Sequence, residues 1–254
     1  MNTQAAESHS NVTAIVAVAL TTWLALVFFL GADGAFARPP GSPPLPILVG
    51  VTAPLLIFLA AYLAVPGFRD FMLTIDLRLV TGIQAWRFAG LGFLVLYTYG
   101  VLPGVFAIPA GLGDIAIGVT APWIMLALLR SPAFAGSGIF KAWNVLGIVD
   151  LVVAVGMGAV VSSLATGSTG EVTTAPMALL PLVLIPAFLV PVSTMLHLTA
   201  IFQARRLSAS ERQRDNPLPS REQILGKEPA LQRALHSRKA NHGDHIESYN
   251  RTGS

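Results

Sequence analysis

The sequence contains no cysteine and few charged residues. Without a thiol, the chain has no disulfide, thiolate metal site, iron–sulfur cluster or cysteine nucleophile. Charged residues make up 11% of the chain and hydrophobic residues 54%. A typical soluble domain carries about 25% charged residues. This composition therefore argues against a soluble globular protein.

Familiar catalytic and phosphate-binding signatures are also missing. The sequence has no H-E-x-x-H, no G-x-S-x-G and no G-x-x-x-x-G-K-[ST]. His242 and His245 have the spacing of two metal ligands on a helix, but the intervening Gly243 argues against a metal site there. We therefore predict no catalytic residue, no metal and no cofactor, and the sequence favours a protein that is not an enzyme.

Long apolar blocks fill most of the chain before position 204. About 20 helical residues, each rising ~1.5 Å, cross the ~30 Å hydrocarbon core of a bilayer. The blocks lack the alternating pattern of barrel strands, so helices are expected. The predicted fold class is all-α: a polytopic membrane helix bundle with six transmembrane helices, at residues 12–30, 45–66, 86–106, 110–129, 142–163 and 177–202.

The first predicted helix has a second interpretation. The small residues Ala35 and Ala37 resemble a signal-peptide cleavage site, and cleavage would leave five helices. The preceding residues, 1–11, contain no Lys or Arg, and the apolar block is longer than a typical signal sequence. These features favour a retained helix with a cytoplasmic N-terminus.

Basic residues predict the orientation of the bundle. Ten of the sixteen Lys and Arg residues follow position 204, and others fall between helices two and three and between helices four and five. By the positive-inside rule, these segments and the C-terminus are cytoplasmic, in a multi-pass protein of the inner or plasma membrane. The same placement explains the basic pI of about 9.6 without nucleic-acid binding.

The tail, residues 204–254, is polar and basic and is predicted to be mostly disordered, with short helices near Ser220 and Glu228. The tail is expected to bind anionic lipid or another protein. Alternatively, the tail has no partner and only keeps the protein soluble. Residues 68–79 carry an amphipathic pattern, which predicts either an interfacial helix or a helical linker packed on the bundle.

Four ionisable residues fall inside the predicted membrane region: Asp150, Asp114, Arg87 and His197. Each costs about 2.5–3.5 kcal/mol at the bilayer centre on insertion scales, so each needs a reason to be there. Arg87 could pair with one carboxylate, and an unpaired Asp150 could hold an exchangeable proton. Alternatively, all four are structural hydrogen-bonding groups between helices.

Three prolines interrupt the sixth predicted helix. Pro181, Pro186 and Pro191 each remove a backbone donor, so the helix is expected to bend or break. They are candidate hinges, and the alternative is a kink that only improves packing.

Two classes of function are consistent with these features. The first is a small transporter-like or permeation protein in which the intramembrane carboxylates line a polar path. The second is a non-catalytic membrane anchor, assembly or regulatory protein that acts through its basic tail. An intramembrane enzyme using the two carboxylates is a third, less favoured interpretation.

Overall fold

The computed structural model describes the backbone of residues 3–215 and the side chains of residues 11–209. Within these limits the chain forms helices and no strands. The α-helices are α1 (Thr3–Ala32), α2 (Leu45–Ala64), α3 (Pro66–Thr74), α4 (Leu77–Ile83), α5 (Leu91–Thr98), α6 (Gly104–Arg130), α7 (Gly138–Leu164) and α8 (Val190–Asp215).

Six helical segments are long and apolar enough to cross a membrane. Their outward faces carry many large hydrophobic side chains, which suits a lipid environment better than water. This confirms the all-helical fold and the expectation of six helices of that length. The segments are Asn11–Ala32, Leu45–Ala64, Leu77–Thr98, Gly104–Arg130, Gly138–Leu164 and Ile185–Ala209.

The third segment differs from the predicted range 86–106. It begins at Leu77, ends at Thr98, and is followed by a turn in which Gly100 adopts a φ of +66°. Pro103 then precedes α6 in an extended conformation. The prediction was wrong here because this turn contains no charged residue, so the hydropathy of the sequence does not mark the end of the helix.

The amphipathic stretch at residues 68–79 is not one helix, because the third segment already begins within it. Helix α3 ends at Thr74, and Leu79 already belongs to α4, whose N-cap Asp76 accepts a hydrogen bond from the Arg78 amide. Gln203 of α8 donates to the carbonyls of Met72 and Ile75. These bonds tie α3 to the bundle, as in the packed-linker interpretation.

Between α4 and α5 the third segment tightens into a 3₁₀ helix, Gln84–Gly90. Residues three apart fall in line on such a helix. Gln84, Arg87 and Gly90 are accordingly all buried on one face, and Thr81 continues the row one turn earlier. A polar stripe of period three therefore points into the bundle.

Helix α6 lies directly against this stripe. Its buried face consists largely of small residues, among them Ala107, Gly111, Gly118 and Ala121. A Cβ at Gly118 would overlap the backbone of Phe88, so the two backbones touch at this point. Small residues permit such close approach between membrane helices.

The last long segment is broken where the prolines occur. A short 3₁₀ helix at Ala175–Ala178 is followed by an extended Leu179, a turn, a π-helical stretch at Ile185–Leu189 and then α8. The predicted range 177–202 is therefore not one helix, and the interruption expected from the prolines lies before α8. Prolines at 181 and 186 explain the interruption because neither can donate to a preceding turn.

The chain forms a compact unit up to Leu207, and a second unit begins at Ser208. Helix α8 continues to Asp215, so the tail does not become irregular at residue 204 as predicted. The predicted short helices near Ser220 and Glu228, and the histidine pair at 242 and 245, lie outside the described residues, as does the predicted state of residues 216–254.

Candidate functional site

Four helical segments bring the four predicted ionisable residues into one buried cluster. Arg87, from the 3₁₀ stretch, is fully buried at its centre. Its Nε donates to Asp114 Oδ1 of α6 at 2.6 Å, and its Nη2 donates to Asp150 Oδ2 of α7. Arg87 therefore pairs with both carboxylates, which corrects the expectation of one pair and an unpaired Asp150.

The remaining guanidinium nitrogen completes the cluster. Nη1 of Arg87 lies 3.3 Å from Nε2 of His197 on α8 and donates to the Gly147 carbonyl at 3.4 Å. A guanidinium only donates hydrogen bonds, so Nε2 of His197 must be the acceptor. The Arg87 side chain thus contacts α6, α7 and α8 at once.

Asn144 fixes the other side of the histidine ring. Its Nδ2 donates to the Phe140 carbonyl at 2.9 Å, which leaves Oδ1 as an acceptor facing His197 Nδ1 at 2.9 Å. Nδ1 therefore carries the proton, and His197 is a neutral imidazole in this network. The Trp143 ring packs edge-on against the same imidazole, with ring centroids 5.4 Å apart.

Glycines make room for the charged groups. A Cβ added at Gly113 would overlap the Asp150 carboxylate, and one at Gly147 would overlap the His197 ring. A Cβ at Gly90 would overlap the side chain of Asp114. The cluster therefore depends on the absence of side chains at these three positions.

A cavity of about 240 Å³ ends at this cluster. Asp114 lines it, as do the exposed Arg38 and residues of the loops that follow α1 and α7. Most of the wall between them is apolar, including Phe36, Phe93 and Phe106. No hydrogen bond from a described residue reaches the second oxygen of Asp114.

On the other side of Arg87, the polar stripe contains unsatisfied groups. Thr81 Oγ1, Gln84 Oε1 and Ser193 Oγ are buried and have no hydrogen-bond partner among the described residues. Gln84 Nε2 donates to the Ser193 carbonyl at 3.1 Å, so Gln84 and Ser193 are direct neighbours. Buried polar groups without partners are uncommon, and ordered water often satisfies them.

The three candidate hinge prolines differ in whether they line the cavity and whether they are buried. Pro186 is buried in the π-helical stretch and lines the cavity, whereas Pro181 lies in the non-helical stretch before it. Pro191 is fully buried in the first turn of α8.

Sequence reasoning missed Gln84 and Asn144 as members of the site. The recurrence of polar residues at 81, 84 and 87 carried a signal, but a helical period of 3.6 does not reveal it. Asn144 precedes Gly147 by three residues on α7, yet its role depends on α8, which local sequence does not indicate.

A family model described as a domain of unknown function, DUF8737, matches residues 44–205. The chain belongs to this family. No curated protein and no solved structure matches the chain. The DUF8737 match includes all four residues of the charged cluster and ends where the basic tail begins.

Proposed function

We propose that this DUF8737 protein is a multi-pass protein of the inner or plasma membrane, with a cytoplasmic C-terminus, that binds a small solute and carries it across the bilayer. The cavity is the outward-facing entrance. The cluster of Arg87, Asp114, Asp150 and His197 is the binding site and the point at which access changes from one side to the other.

The convergence of the four ionisable residues at the end of the cavity supports this proposal most strongly. Charged residues within membrane helices are costly, and those that occur commonly mark solute or ion pathways. A cluster with no opening would suit a purely structural clamp. Here Asp114 both belongs to the cluster and lines a cavity that reaches the loops.

Two further features continue the proposed solute path: the interrupted last segment, and the buried polar groups without hydrogen-bond partners at Thr81 and Gln84. In many transporters, interrupted helices border the binding site near the middle of the membrane. The π-helical stretch Ile185–Leu189 contributes Ile185 and Pro186 to the cavity wall. Beyond Arg87, Gln84 and Thr81 offer polar oxygens toward the end of the bundle where α4 begins.

Site-directed thiol labelling tests the proposal without knowledge of the solute. Because the chain has no cysteine, a single introduced cysteine is the only thiol. Ala159→Cys lies in the cavity wall on α7, and Thr81→Cys lies beyond the cluster on α4. A membrane-impermeant methanethiosulfonate should modify Ala159→Cys from outside, and Thr81→Cys only from the cytoplasmic side.

Val152→Cys is the matched control, since this outward-facing position on α7 should contact lipid and resist the same reagent. Asp150→Asn should change the rate at which Thr81→Cys reacts, because the carboxylate links Arg87 to α7. If Thr81→Cys stays unreactive from both sides in every variant, the cluster is a closed clamp and the transport proposal is wrong.

The alternative function, an anchor that acts through its tail, has one observation in its favour. The hydrogen bonds of Arg87 to Asp114, Asp150, His197 and Gly147 are all made within the bundle, as a structural clamp requires. Deletion of residues 207–254 would then abolish recovery of partners while the bundle stays inserted. Binding of vesicles with and without anionic lipid would separate a lipid partner from a protein partner.

A further inference from the structure

The charges of the cluster do not balance. With both carboxyl groups ionised, Asp114 and Asp150 supply two negative charges against the one positive charge of Arg87, and the hydrogen-bond network leaves His197 neutral. No other basic side chain forms an ion pair with either carboxylate in the described part of the chain. An uncompensated charge in an apolar interior is costly, so a further positive charge would be bound favourably here.

The cavity offers that charge a way in. Asp114 is the one acidic side chain in the cavity wall, and one of its oxygens receives no hydrogen bond from the described residues. Arg38, which also lines the cavity, is exposed, so water and salt screen its charge. A cation that reaches Asp114 would meet the oxygen that receives no hydrogen bond from Arg87, and the combined charge of the two carboxylates would outweigh the single positive charge of Arg87.

The walls indicate an organic cation rather than a metal ion. Hard metal cations need about six oxygen ligands, whereas the wall around Asp114 is mostly apolar. Phe93 and Phe106 line the cavity with their ring centroids 5.7 Å apart, and Phe36 lines it as well. Aromatic rings in the same cavity wall as a carboxylate suit alkylammonium groups, which cation–π attraction and apolar contact both favour.

The size of the cavity sets an upper limit on the ligand. Its volume of about 240 Å³ is below the ~300–1,000 Å³ that is common for drug-sized ligands. We propose that the solute is a small organic monocation whose ammonium group binds the free oxygen of Asp114 and whose apolar part contacts the phenylalanines. This inference rests on the proposed function, because it identifies the ligand of the same cavity.

Protection of Ala159→Cys from labelling tests the inference. The probes are n-butylammonium and choline, and their uncharged counterparts are butan-1-ol and 3,3-dimethylbutan-1-ol. The anionic reagent 2-sulfonatoethyl methanethiosulfonate is used, so that it does not compete for a cation site. We expect at least one ammonium probe to slow labelling fivefold or more at saturation, and neither alcohol to slow it appreciably.

Variants then identify the acceptor. Asp114→Asn should abolish the protection, whereas Asp33→Asn, which removes the same charge from an exposed position, should leave it intact. Phe93→Leu keeps every charge and should weaken protection several-fold, which provides a second test if Asp114→Asn fails to fold. Protection that persists in Asp114→Asn, or that the alcohols match, would overturn the inference.

The outcomes separate this inference from the proposed function. If Ala159→Cys is not labelled from outside, the cavity is not an entrance and both fail. If Ala159→Cys and Thr81→Cys are labelled from their expected sides but neither ammonium probe protects, the transport proposal stands. In that case the ligand is not an organic cation, and the missing positive charge is supplied by a proton instead.

Discussion

Removing Arg87 tests whether the cluster is held together by charge. Arg87→Met leaves Asp114 and Asp150 buried without their positive partner and takes the net charge of the cluster from −1 to −2. Breaking a buried ion pair in this way costs about 3–5 kcal/mol. The variant also loses the hydrogen bonds to Gly147 and His197, each worth about 1 kcal/mol. We therefore expect a loss of at least about 3 kcal/mol in the free energy of unfolding.

Neutralising the carboxylates as well should restore most of that loss. The triple variant with Arg87→Met, Asp114→Asn and Asp150→Asn contains no charge in the cluster, and uncharged replacements of buried ion pairs are often neutral or stabilising. After allowance for the lost hydrogen bonds, we expect its stability to lie within about 2 kcal/mol of the original chain. Unfolding by increasing dodecyl sulfate in mixed micelles, followed by circular dichroism, provides the comparison.

Arg130→Met is the control, because this exposed arginine at the end of α6 forms no ion pair within the described residues. A triple variant as unstable as Arg87→Met would show that the shape of the arginine matters and its charge does not. A single variant as stable as Arg130→Met would refute the ion cluster itself.

Two further predictions concern single positions. Gly147→Ala should displace the His197 ring and lower the free energy of unfolding by about 1–3 kcal/mol in the same micelle assay. The control is Gly156→Ala on the same helix, which should not lower it because the added Cβ meets no atom within 4 Å. In the loop after α7, a hydrogen bond from the Thr166 amide, with others from the Thr166 hydroxyl and the Gly167 amide, lowers the pKa of Glu171 below its ordinary value of 4.5. The stabilisation of this loop is therefore fully present above pH 4.5 and is lost as the pH falls through the lowered pKa. The protection factor of the Thr166 amide, which is the exchange rate corrected for the intrinsic effect of pH, should fall in that acidic range, and Glu171→Gln should abolish this fall.

Composition and hydropathy were sufficient to predict the helical class and the number of long helices. They failed at chain reversals that contain no charge, such as the turn at Gly100, because nothing polar marks the end of a helix there. They also failed at the sixth segment, where three prolines correctly indicated an interruption but not its position. The 3₁₀ stretch depends on tight packing against α6, which only the tertiary structure provides.

Individual members of the site were predictable, but their arrangement was not. Burial cost alone selects Arg87, Asp114, Asp150 and His197, because few ionisable groups interrupt the apolar blocks. That a single guanidinium contacts the other three follows from the packing of four segments. The neutral state of His197 depends in turn on the orientation of the Asn144 amide, which the sequence does not indicate.

The arrangement of charge also bears on the choice between clamp and transporter. A clamp needs only balanced partners, and apolar side chains of similar volume commonly hold helices together as well as a buried ion pair does. The cluster instead carries two carboxylates for one arginine, and one of the two, Asp114, lines a cavity. If the triple variant is as stable as the original chain but no longer shows ligand protection of Ala159→Cys, stability does not account for the charges. The excess negative charge would then serve the ligand and not the fold.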